Sequence, residues 1–103
     1  MSTVNYVETL ILVGDRFPRR VEEVRELIDS SQIAIVAPTR SQGEIAARAR
    51  LRFPLNMGNC FAYALAKEED CPLLTLDRDF RYTDIKVVLP KRVSYIAHSS
   101  GSA

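Results

Sequence analysis

Residues Leu55–Ile85 read LNMGNCFAYALAKEEDCPLLTLDRDFRYTDI, and the fold is decided in this stretch. Asn56 is a good helix N-cap, and Phe61, Ala64 and Leu65 then recur at helical spacing, which predicts a helix from Met57 to about Glu69. Pro72–Leu76 predicts a short apolar strand, Asp77–Asp84 a polar turn region, and Lys86–Leu89 a further strand. Strands alternating with helices imply an α/β layer architecture with parallel strands. The strand runs straight into Asp77 and Asp79, and ligands collect beyond the carboxyl ends of parallel strands. Ordinary Asp-rich turn chemistry accounts for the same two residues without a ligand.

Upstream, Ser2–Gly14 reads as a helix capped by Ser2 or Thr3, with Val4, Val7, Ile11 and Leu12 facing inward. Pro18 opens a second helix through about Ile28, with Val21, Val24, Leu27 and Ile28 inward. Ile33–Val36 is a short β-rich run, read as a buried strand. Thr39-x-x-Gln42 and Ser41-x-x-Glu44 both have the form of capping boxes and lead into an Ala- and Arg-rich helix ending near Arg52. Residues 1–90 are expected to form one domain, and residues 91–103, ending in Ser-Ser-Gly-Ser-Ala, a flexible tail.

The 103 residues carry 14 Lys and Arg against 13 Asp and Glu, a net charge of +1 that gives no global attraction to a polyanion. The local exception is Arg40, Arg48, Arg50 and Arg52 against Glu44. Arg48 and Arg52, one helical turn apart, are candidates for phosphate contact, although solvated surface arginines account for them too. Two cysteines, Cys60 and Cys71, and one histidine, His98, supply neither a zinc site nor a disulfide framework, and no Ser-His-Asp or Cys-His machinery. Carboxylates remain, and these suit hard cations such as Mg²⁺ or Mn²⁺. No stretch is apolar enough to span a membrane and no leader opens the sequence, so a cytoplasmic protein with reduced, packed thiols is expected.

Two residues outside the Asp77–Asp79 turn complete the candidate set. Helical spacing puts Glu8 beside Val4, Ile11 and Leu12, so a carboxylate projects from the apolar face and needs a cation, a proton or donors. A rim position or an ion pair with an arginine satisfies it equally well. Asn59 falls in the first turn of its helix, where the dipole favours anions, and a mere capping role is open to it.

The run from Leu55 to Ile85 resembles the C-terminal half of a PIN domain of the VapC toxin type, whose pattern is Leu-Asn-x-Gly-Asp-Cys-x-x-Tyr-Ala-Leu-Ala-Lys, then Pro-Leu-Leu, Asp-Phe and Thr-Asp-Ile. Ser2-x-x-Asn5-x-x-Glu8 resembles a helix start of the same family. The resemblance implies a PIN-like three-layer α/β/α sandwich with a short parallel sheet, and a cytosolic Mg²⁺- or Mn²⁺-dependent endoribonuclease. It also implies a homodimer restrained by a VapB-type antitoxin. By resemblance Glu8 and Asp79 hold the metal with Asp77 assisting, Asn59 stands where the family has Asp, and Ser2 and Asn5 support the site. The family's opening strand with its first acid has no counterpart before Met1, and the connection at Leu51–Pro54 is short. Weak metal binding and weakened cleavage are therefore expected. The alternative is a catalytically inactive module that binds antitoxin or dimerises.

Overall fold

The computed structural model describes residues 1–89; the expected tail lies outside them. Four helices precede a minimal sheet: α1 (Thr3–Arg16), α2 (Val21–Ser30), α3 (Arg40–Arg52) and α4 (Met57–Glu68), then β1 (Leu73–Leu74) and β2 (Val87–Val88). Pro18–Arg20 forms a 3₁₀ turn into α2, and Arg78–Tyr82 forms another between the strands. A short parallel sheet beside helices is consistent with the expected α/β class, although four helices come before the two strands.

Local chemistry explains the helix starts. Ser2 Oγ accepts from the Val4 N–H, Thr39 Oγ1 from Gln42, and Asn56 Oδ1 from Asn59. Each bond satisfies an N–H that the first turn leaves without an intrahelical partner. Thr39 is the cap of α3, but the reciprocal half of its box does not form. The Gln42 side chain is buried and instead donates through Nε2 to Glu68 Oε1 at 2.8 Å, tying the start of α3 to the end of α4.

These antiparallel helices carry the core. Ala46 and Ala49 of α3 let α4 approach closely, and Leu55, Cys60, Tyr63, Ala64 and Phe80 fill the contact. Phe53 tilts against Tyr63 with ring centroids 5.4 Å apart, an arrangement aromatic pairs favour. Cys60 is packed here, and burial raises its thiol pKa. Cys71, expected to be packed as well, is exposed.

β1 and β2 pair in parallel, Leu73 with Val87 and Leu74 with Val88. Both strands are shorter than their apolar runs. The expected strand at Ile33–Val36 reduces to a single parallel bridge between Val36 and Ser2, flanked by hydrogen bonds to Met1 and Thr3. The ladder stops there because the partner segment turns into α1 at Thr3. Nor is this run buried, since Ile33, Ile35 and Val36 all remain exposed.

A second correction concerns α1 and α2. Their apolar faces are not enclosed: Ile11 is 63% exposed, Leu12 60% and Leu27 61%, and neither helix has a buried residue. The helices pack on each other, and α1 also packs on α4. No layer among the described residues covers the other side of the pair. The Arg20–Glu23, Arg25–Glu22 and Arg25–Asp29 pairs on α2 are exposed and contribute little.

The segment before β2 is fastened to α4 by Asp84. Its carboxylate accepts from the Tyr63 hydroxyl at 2.5 Å and from Lys67 Nζ at 2.9 Å. Burial, helped by the Asp84 hydrogen bond, pushes the Tyr63 pKa up to about 12, while the Tyr63 bond and then Lys67 hold Asp84 below the usual carboxylate range. Because the Asp84 pKa is depressed on folding, its stabilisation is present above the unfolded value, about 3.9. It is lost as pH falls through the lower folded value. Melting temperature should therefore decline on acidification below about pH 4, and Asp84→Asn should flatten that part of the profile. In urea, Tyr63→Phe should cost about 1 kcal/mol and Phe80→Ala about 3–5 kcal/mol. A Phe80→Ala loss below about 1 kcal/mol would contradict this account of the core.

Candidate active site

Three segments meet at the amino end of α4. The short connection from Arg52 through Asn56 sets it beside the carboxyl end of α3, α1 brings Asn5 and Glu8 to it, and the chain leaving β1 brings Asp77. An α-helix presents partial positive charge at this end, so carboxylates collected here are favoured.

Asn5 fixes the α1 side. Its Nδ2 donates to the Gly58 carbonyl at 2.9 Å and to Glu8 Oε1 at 3.3 Å. Thus one amide joins two helices and orients the carboxylate one turn further along α1. Glu8 is half-buried, as its place on the helix suggested. Asn5 Oδ1 is buried and accepts no hydrogen bond from the described residues.

Asp77 fixes the other side. Its Oδ1 accepts from the Asp79 N–H at 2.8 Å and so caps the 3₁₀ turn, while Oδ2 accepts from Asn59 Nδ2 at 2.6 Å. One oxygen of this carboxylate therefore serves the turn and the other holds Asn59. With its nitrogen turned to Asp77, Asn59 has its amide oxygen free of that bond. Asp79 is exposed, and no hydrogen bond from the described residues reaches its carboxylate. Ser2 is buried, where it caps α1 and bridges to Val36.

A cavity of about 270 Å³ opens beside this cluster, with Ser2, Asn5, Asn59, Ala62, Leu73 and Thr75 among its lining residues. Its walls are mostly apolar, with polar groups from Ser2, Asn5, Asn59 and Thr75. Arg48 and Arg52 are exposed on α3, and the Arg52 guanidinium lies 4.9 Å from the Phe53 ring centroid. Arg52 belongs to the same end of the α3–α4 pair as Asn59.

The arrangement brings Glu8, Asn59 and Asp77 to one helix end, with Asp79 at its margin. It does not make a closed acidic cage: among the described residues no three His, Cys, Asp or Glu side chains converge. The donors present are carboxylate and amide oxygens, which fit a hard cation in kind. The unsatisfied Asn5 Oδ1 beside them is one more oxygen that a hydrated ion or its water would complete. The residues therefore fit a weakly held, largely hydrated Mg²⁺ or Mn²⁺.

Sequence spacing did not single out Gly58, whose backbone meets both Asn5 and Glu8, or Asp84 as the partner of Tyr63. The signals available for Gly58 were a glycine inside the first turn of a helix and its place in the Leu-Asn-x-Gly pattern.

Comparison with known proteins places this geometry. Residues 1–86 match the PIN domain family. Ribonuclease VapC of Mycolicibacterium smegmatis is 36% identical over 96 residues, covering 85% of this chain and 74% of the relative. Ribonuclease VapC30 of Mycobacterium tuberculosis is 35% identical over 96 residues, covering 85% and 73%. Ribonuclease VapC28 of the same organism is 30% identical over 101 residues, covering 89% and 76%. These matches establish that the chain belongs to the PIN domain family, in its VapC-type branch.

Proposed function

We propose that this chain is a VapC-type endoribonuclease that hydrolyses RNA phosphodiesters with a divalent cation, Mg²⁺ or Mn²⁺. The observation that carries the reading is the convergence of Glu8, Asn59 and Asp77 on the α4 amino end in a chain of this family. Glu8, Asp77 and the Asn59 amide oxygen would hold the ion, with Asp79 at the edge. When bound, the ion supplies an activated water and neutralises charge on the phosphate being displaced.

The chain's own groups do the rest. Asn5 orients Glu8, and Ser2 fixes the start of the helix that carries both. Arg48 and Arg52 approach the RNA backbone as charges; they hold phosphate without reading sequence. Asn59 weakens the centre in two ways. It lacks the charge of a carboxylate, and its N–H occupies one oxygen of Asp77. The ion is therefore held weakly and cleavage is slow.

An RNA substrate, a VapB-type antitoxin, a homodimer and a cytoplasmic site of action belong to the same reading. The uncovered Val7, Ile11, Leu12 and Leu27 supply an apolar face that an oligomer contact would bury. Among the described residues no helix is long and apolar enough to cross a membrane. The Asn59–Asp77 bond favours one second reading, an inactive module that keeps only the binding surfaces.

The purified chain should cleave a mixed RNA substrate in Mn²⁺ and lose that activity in EDTA, with Glu8→Gln at least about tenfold slower. Silence from both this chain and its Asn59→Asp variant would instead support the inactive module. Melting provides a separate check. Asn59→Asp should lower stability without metal, because two carboxylates then face each other, and should enlarge the stabilisation by Mn²⁺. A tenfold tighter site adds about 1.4 kcal/mol at saturating ion. An unchanged Mn²⁺ response would remove Asn59 from the centre.

A further inference from the structure

We infer that Gly58 is a positioning residue for the Glu8 carboxylate: the missing side chain at this point of α4 is the seat in which that carboxylate rests. A Cβ built on Gly58 would lie 2.0 Å from both Glu8 carboxylate oxygens and 2.2 Å from the carbon between them. No real side chain tolerates such distances, so an alanine and this placement of Glu8 exclude each other. The glycine is not required by backbone conformation, since its φ is not positive and it lies inside a regular helix. Helices ordinarily favour alanine over glycine. Here glycine stands at a buried position, and the three atoms nearest the space all belong to the Glu8 carboxylate.

Asn5 completes the seat. It donates to the Gly58 carbonyl and to Glu8 Oε1, so the backbone that the carboxylate lies against and the carboxylate itself are held by one amide. Moving Glu8 therefore disturbs the Asn5 amide even when the fold is kept. The obstructing group is the far end of a flexible side chain, so an alanine at position 58 displaces the carboxylate rather than unfolding the domain. Gly58→Ala should behave as a Glu8 variant although it leaves Glu8 in the sequence.

The functional consequence rests on the cleavage reading above; the steric relation stands without it. The Asn5 side-chain amide resonances, recorded without metal, report the seat directly. Gly58→Ala and Glu8→Ala should shift them to a similar degree, and the double variant should add nothing further. Melting curves should show Gly58→Ala folded, and Mn²⁺-dependent RNA cleavage should fall by about tenfold or more, as expected for a misplaced reacting group. An Asn5 amide unmoved by Gly58→Ala, or moved equally by that substitution in the Glu8→Ala background, would overturn the inference. If this chain shows no cleavage at all, the amide shifts still decide the role of Gly58. The failure of the cleavage reading is then separate from the failure of this one.

Discussion

The amino end of α4 is the constraint on which the candidate site depends. One helix start must accept the Asn56 cap, the Asn5 amide, the Glu8 carboxylate and the Asn59–Asp77 pair. These groups come from α1, from the α3–α4 connection and from the chain leaving β1, so the site exists only once all three have packed. The positive end of the helix makes the gathering of carboxylates tolerable. The glycine at position 58 makes it sterically possible. The same helix further along presents Cys60, Tyr63 and Ala64 to the core, so the element that builds the site also holds the fold together.

Much of this was legible in residues that act locally. The Asn56 cap, the extent of α4 and the acids that follow the strand could be read because a cap, a helical period and a strand end each involve neighbours in sequence. What spacing could not provide is contact across distance. Asn5 meets Gly58 across 53 positions, Tyr63 meets Asp84 across 21, and Gln42 meets Glu68 across 26. Gln42 resembled half of a capping box, and tertiary packing redirected it. Ile33–Val36 has strand propensity, yet its ladder is limited by how soon its partner becomes helical, which propensity does not register. The apolar stripe of α1 was visible; whether another layer covers it depends on topology rather than on the stripe.

For function, the decisive quantity is charge. A hard cation is attracted by carboxylates and fixed by how many oxygens face it. Glu8 and Asp77 supply the charge at the helix end, Asn59 supplies an oxygen without charge, and Asp79 stands exposed. In the proposed reading, membership of the PIN domain family gives this cluster its meaning, and an amide where the family has an acid would set its strength. The hydrogen bond that makes Asn59 a satisfactory structural partner for Asp77 would then make it a poor companion for an ion.

The most direct test is to titrate Mn²⁺ into the ¹⁵N-labelled chain and follow paramagnetic broadening of the amide resonances. The account predicts that Glu8, Gly58, Asn59 and Asp77 broaden first and together, while Asp29 and Asp84, whose carboxylates lie in other clusters, broaden later or not at all. Broadening centred on Asp84, or a uniform effect across the acidic surface, would contradict a cation site at the amino end of α4.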